Sequence, residues 1–477
     1  MLHLKKIVMN IRPLRRMCLL AFWLVAAISS AKAQMNSDNA YAQPLDQVLK
    51  DIEQHYGVTI RADKKLVEGK VLKYAKWRYR PDVDETLRNV LAPFDLKVKS
   101  DGNEKKYKVS EFEYYRWPVA EGWAELDRIA AQYKNLSEWE ARKEMLRPCI
   151  MNALQLSKLP AYPLSKPIIT KKRKHDGYTV ENIAIEILKG VWVNGSIYRP
   201  AKFKGKIPVI LNPDGHWQDH RFREDCQIRC AALAKMGALT ISYDLFGWGE
   251  SGLQFKYEDH RKSLSQTIQT LGAIRILDYL LALNEADTTR VGITGGSGGG
   301  SHTVLMTAID DRIKVSAPVV SVSSYMYGGC PCESGMPVFL CGGGTDNLEL
   351  AAMAAPNPQL LVSDGGDWTD RMPEHDFPYL QKMYSWYGKR GNVENVHLPA
   401  EKHDFGINKR TAVYRFMAKY LNLNLAAIEK NGMIDESSIT IEKMSDMYVF
   451  GDKGERLPAH AVKGFEQLEK VFAAAIQ

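Results

Sequence analysis

In the run Val291-Gly292-Ile293-Thr294-Gly295-Gly296-Ser297-Gly298-Gly299-Gly300-Ser301, a serine is set among glycines at the spacing Gly295-x-Ser297-x-Gly299. The β-branched residues Val291, Ile293 and Thr294 read as a strand before it, and Ser301-His302-Thr303-Val304-Leu305-Met306 reads as a helix after it. This is the spacing of a nucleophile elbow, where the serine sits on a strained strand-to-helix turn whose crowding only glycine tolerates. A hydroxyl is a weak nucleophile, so it needs a base within reach and N–H donors for the oxyanion. Gly298, which opens the helix, is the candidate for one of those donors. Two other glycine-rich readings fall short. A Walker loop needs Lys followed by Ser or Thr after its last glycine, and the dinucleotide pattern Gly-x-Gly-x-x-Gly is met here only because the run is nearly all glycine.

A nucleophile on such a turn must be carried by a sheet. From about Thr179 the sequence has that rhythm. Val180 to Ile187 and Val191 to Tyr198 alternate as an antiparallel pair, and Ile207 to Leu211 reads as a buried strand. A helix around Cys226 to Lys235 precedes a strand from Ala238 to Tyr243. A long helix, Ser265 to Leu283, precedes the strand entering the serine turn. Val315 to Val320, Gln359 to Ser363 and Val393 to Leu398 complete the set. The pattern predicts an α/β fold, a mostly parallel sheet with helices on both faces.

The chain has 477 residues, enough for two or more domains. Residues 1–33 read as a secretory signal: Lys5, Lys6, Arg12, Arg15 and Arg16 precede an apolar core from Met17 to about Ser29, and Ala31-Lys32-Ala33 is a small-x-small cleavage site. Cys18 lies ahead of that core, which argues against lipoprotein processing. The expected location is the periplasm or the exterior, with no transmembrane segment left after cleavage. The leader holds six of the 64 Lys and Arg and none of the 56 Asp and Glu, so the remainder carries +2 rather than +8. The basic balance therefore gives no reason to expect a nucleic-acid partner.

Six cysteines remain beyond the leader: Cys149, Cys226, Cys230, Cys330, Cys332 and Cys341. An even number in an exported chain permits disulfides. Cys226 and Cys230 share a helix face, where buried thiols are expected rather than a strained bridge. Cys330-Pro331-Cys332 with Cys341 reads as a bridged loop or a metal site; the bridged loop is preferred, since no histidine lies near them in sequence.

Ahead of the sheet, Pro44 to Ile52 has helical spacing and Val58 to Arg61 reads as a strand. A strand from Val71 to Tyr79, a helix through Val83, Leu87, Val90 and Leu91, and a hairpin (Leu96 to Lys99, Tyr107 to Val109) follow. This small α+β unit, residues 38–112, resembles the short amino-terminal domain of secretins and TonB-dependent transporters. That resemblance implies an envelope protein partner, against the plain reading of a structural appendage. A helical connector, 113–165, leads to the catalytic segment, 166–425, and an extension, 426–477, ends the chain. The basic run Lys171-Lys172-Arg173-Lys174 reads as a solvated loop.

Over roughly Thr179 to Leu423 the chain resembles the α/β-hydrolase family. Asn212-Pro213-Asp214-Gly215-His216-Trp217 follows the third strand, where the family keeps its oxyanion loop. Asp214 stands where the family commonly has histidine, so the second donor is left between His216 and Trp217. Asp244-Leu245-Phe246-Gly247-Trp248-Gly249-Glu250-Ser251 is similar to the family's architectural turn after the fourth strand, so Asp244 is not read as catalytic. The family's acid follows the strand before the last, which selects Asp367, with Asp364 as runner-up and Asp370 as a helix cap. Its base follows the final strand, which selects His403 over His375, His397 and His460. The resemblance thus implies a Ser297–His403–Asp367 triad that needs no metal or cofactor.

Within the family, "GGSGGG", "NPDGHW", "DLFGWGESG" and "DWT" look most like secreted acetylxylan-esterase-like hydrolases. An acylated plant polysaccharide or oligosaccharide is the substrate this implies. Glucuronoyl esterases carry Cys and Arg around the serine, where this chain has Gly296 and Gly298. A prolyl-oligopeptidase-like serine peptidase would need a propeller, for which the preceding stretch is too short. A non-catalytic envelope binding protein would be expected to have lost Ser297, Asp367 or His403, and all three are present.

Overall fold

The computed structural model describes residues 42–73, 75–94, 96–100, 105–111, 117–326, 331–333 and 336–476. The signal expected over 1–33 and Cys330 lie outside the described residues. The chain divides into two compact units, Met1–Glu113 and Tyr114–Gln477.

The first unit packs two amphipathic helices, Leu45–Tyr56 and Val83–Leu91, on a three-stranded sheet. In that sheet Lys106–Glu111 lies between Thr59–Arg61, which runs parallel to it, and Leu96–Ser100, which runs antiparallel. Leu45, Val48, Ile52, Leu87, Val90, Leu91 and Val109 form its core. Leu45, Val48 and Ile52 recur at helical spacing, so one face of the first helix is buried. The strand expected from Val71 to Tyr79 stops at Lys73, and Ala75–Arg78 is a 3₁₀ turn. Its short strand pairs instead with Ala42–Pro44. The apolar run there reflects burial of Leu72 and Ala75, not a longer extended ladder.

The second unit is built on a ten-stranded sheet. Its main strands are β1 (Tyr178–Leu188), β2 (Val191–Pro200), β3 (Ile207–Pro213), β4 (Leu239–Tyr243), β5 (Ala286–Gly296), β6 (Val315–Val319), β7 (Gln359–Asp364) and β8 (Val393–Leu398). The spatial order is β8-β7-β6-β5-β3-β4-β2-β1, with two short strands paired to β1 at the edge. From β4 to β8 every pairing is parallel; β2 joins β4, and β1 joins β2, antiparallel. Parallel neighbours require crossover connections, and helices supply them. Among them are α1 (Glu224–Lys235), α2 (Ser265–Leu281), α3 (Gly298–Ile309) and α4 (Asp376–Trp386), and a further helix, α5 (Ile407–Leu421), follows β8. On one face, α1 and α5 cover Ile210, Val315, Val319, Leu360 and Val362 with Leu233, Val413, Met417 and Leu421.

Two flanking segments belong to this same unit. The helix Leu136–Ala153 is joined to the segment after α3 by the disulfide Cys149–Cys341 and by a buried ion pair, Arg142 to Glu349 (Nε–Oε1 2.8 Å). Cys341 therefore pairs with a residue 192 positions away, not within the Cys330–Cys332 loop as the sequence suggested. Cys226 and Cys230 are free, buried thiols on α1. At the other end, Val449 and Phe450 pack with Ala184 and Trp192, and Arg221 donates to the Met447 carbonyl (3.0 Å). Among the described residues no helix is long and apolar enough to cross a membrane.

Candidate active site

Strand β5 ends at Gly296 and α3 begins at Gly298, so Ser297 alone makes the turn. Its φ is +54° and ψ −123°, a conformation that L-residues rarely hold and that surrounding structure must impose. The imposing contacts are visible at the flanking glycines. A Cβ on Gly295 would come 2.5 Å from the carbonyl oxygens of Gly299 and Pro213, and one on Gly299 would collide with the Pro213 carbonyl. Glycine at both positions lets β3, the turn and α3 approach this closely. The N–H of Gly298 is the first in the helix and has no acceptor within it.

The loops after β7 and β8 meet Ser297. The Ser297 hydroxyl donates to His403 Nε2 at 2.9 Å, and His403 Nδ1–H donates to Asp367 Oδ2 at 2.6 Å. Asp367 Oδ1 accepts from both the backbone N–H and the hydroxyl of Thr369, each at 2.6 Å. Burial alone would raise the Asp367 carboxyl's pKa; the hydrogen bonds from His403 and Thr369 outweigh it, and the net shift is downward. An acid so held stays ionised beside an imidazole that gains a proton. The three residues at the nucleophile, base and acid slots are thus in one hydrogen-bonded line.

Asp364, the runner-up, is the last residue of β7 and points elsewhere. Its Oδ2 lies 3.0 Å from Lys409 Nζ, and both side chains are fully buried. Burial, then the neighbouring charge of Asp367, push the Asp364 pKa up. Asp370 caps no helix: it accepts from the Tyr325 hydroxyl at 2.6 Å, and α4 begins only at Asp376. Of the other histidines, His375 precedes α4, His397 lies within β8 and His460 lies in the tail. Asp244 accepts from Arg221 Nε (2.9 Å) and from the Glu250 N–H (3.1 Å) within a buried network. Burial first, against the pull of Arg221, brings its pKa up to about 6.

His216 and Trp217 both border the turn. A Cβ on Gly298 would lie 2.6 Å from His216 Cε1, and one on Gly296 would lie 2.7 Å from Trp217 Cη2. Asp214, where the resemblance places histidine, is held by Arg223 (Nη2–Oδ1 3.1 Å, Nη1–Oδ2 3.2 Å), whose guanidinium lies 4.6 Å over the Trp217 ring. The loop is therefore braced by an ion pair that a histidine could not make.

Two residues that sequence reasoning missed complete the surroundings. Trp368 faces the His403 ring at 4.6 Å between centroids and donates through Nε1 to the Ser321 carbonyl (2.8 Å). Trp217 lies 5.6 Å from the same imidazole, so two indoles border it. The other is Lys409 on α5, which donates to the Lys402 carbonyl (2.6 Å) and pairs with Asp404 (2.9 Å) and Asp364. It ties the loop bearing His403 to the strand that leads to Asp367. Removing one partner of a buried ion pair strands the other charge and costs about 3–5 kcal/mol. Lys409→Met is expected to lose that much in urea denaturation and to lower kcat more than it raises KM. Unchanged stability and kcat would show that the tie does not hold the loop.

Fold and site together define an α/β-hydrolase with a serine turn. The chain belongs to the family of Methylesterase BT1017, with which it shares 48% identity across 91% of this chain and 97% of that one, at a TM-score of 0.72. Residues 189–359 match the family described as X-Pro dipeptidyl-peptidase (S15 family). The Glucuronoyl Esterase from Solibacter usitatus is similar at 18% identity, over 60% of this chain and 94% of that one, with a TM-score of 0.45. The "Uncharacterized protein YcjY" of Escherichia coli (strain K12) is 34% identical over 131 residues, which are 27% of this chain. The chain spans 40% of the length of that curated relative.

Proposed function

We propose that this chain is a serine esterase that hydrolyses carboxylic esters, with Ser297 as nucleophile, His403 as base and Asp367 as the acid that orients it. The observation that carries the reading is the unbroken line from Asp367 through His403 to Ser297, at 2.6 and 2.9 Å, on a turn of positive φ. His403 Nε2 takes the hydroxyl proton as Oγ attacks the ester carbonyl. The oxyanion accepts from the Gly298 N–H and from an N–H of the 214–217 loop, where each donor typically contributes about 3–4 kcal/mol. Collapse expels the alcohol, protonated by His403, and water then releases the acid from the acyl-enzyme.

For the substrate, the sequence resemblance favours acetyl groups on plant polysaccharides, while the 48%-identical relative is named a methylesterase. We give the methyl ester precedence, because that likeness covers nearly the whole of both chains. A methyl ester on a polysaccharide sits on a uronic acid carboxyl, so the leaving group is methanol and the acyl-enzyme carries the sugar. A panel of methyl-esterified polyuronide, acetylated xylan and an X-Pro dipeptide anilide separates the readings. Methanol release well above acetate release is the expected result. Acetate alone would restore the acetyl reading, and anilide cleavage without either would make the chain a peptidase.

A further inference from the structure

Beside the serine turn lies a second group of reactive side chains, drawn from three distant parts of the second unit. His216 Nε2 is 2.7 Å from His260 Nε2 and 3.2 Å from Cys332 Sγ, and the three atoms all lie within 4.8 Å of one another. His260 and Cys332 are buried and His216 is half-buried.

What the rings can do follows from their far nitrogens. His260 Nδ1 contacts the carbonyl oxygen of Phe246; a carbonyl only accepts, so Nδ1 carries the proton and Nε2 presents a lone pair. His216 Nδ1 faces the carboxylate of Glu333 at 3.7 Å, and that carboxylate is only 4% exposed. A proton held on the Glu333 side leaves His216 Nε2 with a lone pair as well. Two lone pairs 2.7 Å apart repel unless a cation or a proton lies between them. An imidazole whose outer nitrogen is fixed by a carbonyl or a carboxylate is the usual way a protein presents histidine to a metal.

We propose that His216 Nε2, His260 Nε2 and Cys332 Sγ bind one divalent cation of the zinc class, with the Phe246 carbonyl and Glu333 as outer partners. Two imidazoles and a thiolate select such a metal over calcium or magnesium, which require oxygen donors. Zinc at about 2.0–2.1 Å from nitrogen and 2.3 Å from sulfur sets tetrahedral ligand atoms roughly 3.3–3.6 Å apart. His216 Nε2 needs to move roughly 0.6 Å away from His260 Nε2 and about 0.3 Å away from Cys332 Sγ to reach that spacing, which side-chain rotation supplies. The Cys332 thiol binds as thiolate and gives its proton to solvent. Because the His216 ring rests against Gly298, the cation fastens the 214–217 loop beside the nucleophile turn. Its role is positional, and the site stands whether or not Ser297 cleaves esters.

The test uses the full chain, stripped with a chelator and titrated with Zn²⁺ and with Co²⁺. The expected result is one equivalent of either ion and a cobalt spectrum with a thiolate-to-metal charge-transfer band. That band disappears in Cys332→Ser, and His260→Asn loses stoichiometric binding. Glu333→Gln weakens zinc affinity by about 10–100-fold, as outer-partner changes do. Melting curves of the metal-free proteins separate loss of a ligand from loss of the fold, and should a variant misfold, the wild-type cobalt spectrum decides. Wild-type protein that is folded but binds neither ion, or a cobalt spectrum without a thiolate band, would overturn the site. Retention of the band in Cys332→Ser would do the same.

Discussion

Ser297→Ala abolishes ester hydrolysis, with kcat falling on the order of 10⁶-fold, the loss typical when the nucleophile of a triad is removed. The substitution deletes one oxygen that makes a single hydrogen bond, to His403. Alanine meets the same positive φ as serine at this turn, so the backbone penalty is unchanged and stability should hold. Circular dichroism and a melting curve identical to wild type, together with lost turnover of a small activated ester, are the expected outcome. Measurable turnover at even a hundredth of the wild-type rate would remove Ser297 from the chemistry.

Asp367→Asn lowers kcat by about 10⁴-fold with little change in KM, because an amide at this position favours the wrong imidazole tautomer. The wild-type carboxylate accepts the Nδ1 proton, which leaves the Nε2 lone pair facing Ser297. An asparagine that turns its NH₂ toward His403 donates instead, and the proton moves to the nitrogen that must act as base. Asp364→Asn behaves differently. It removes the charge opposite the buried Lys409 and should cost stability more than rate. Steady-state kinetics and urea denaturation of the two variants decide. A large kcat loss confined to Asp364→Asn would transfer the acid's role to that residue.

The serine turn and the strands were legible because their signals are local. Glycines spaced around Ser297, and β-branched runs broken by helical stretches, mark the elements with no knowledge of what lies opposite. The expected strands fall within a few residues of β1 to β8, and the differences are at ends, where hydrogen bonding to neighbours decides. Among its described residues, the first unit departs where Val71 to Tyr79 turns into a 3₁₀ segment after Lys73, and in a strand at Ala42–Pro44 and a helical turn at Lys64–Val67 that the pattern did not announce.

Beyond Ser297, Asp367 and His403, which the family resemblance brought together, contacts between distant segments were not legible. Lys409 lies in a helix whose sequence looks amphipathic, and nothing nearby says that this lysine is buried against Asp364. Cys149 has no partner in view until the fold brings Cys341 to it. Cys332 read as a loop cysteine with no histidine beside it, yet His216 and His260 reach it from 116 and 72 positions upstream. Asp370 has the look of a cap, but the Tyr325 hydroxyl takes its carboxylate before a helix forms.

We propose Ser297 as the nucleophile, activated by His403. Labelling the protein with a fluorophosphonate, followed by intact mass and peptide sequencing, is the decisive measurement. The expected result is one adduct per chain, on Ser297, formed at a rate that drops sharply in His403→Ala and with no adduct in Ser297→Ala. An adduct on any other residue, or labelling of Ser297 that proceeds equally fast without His403, would contradict it.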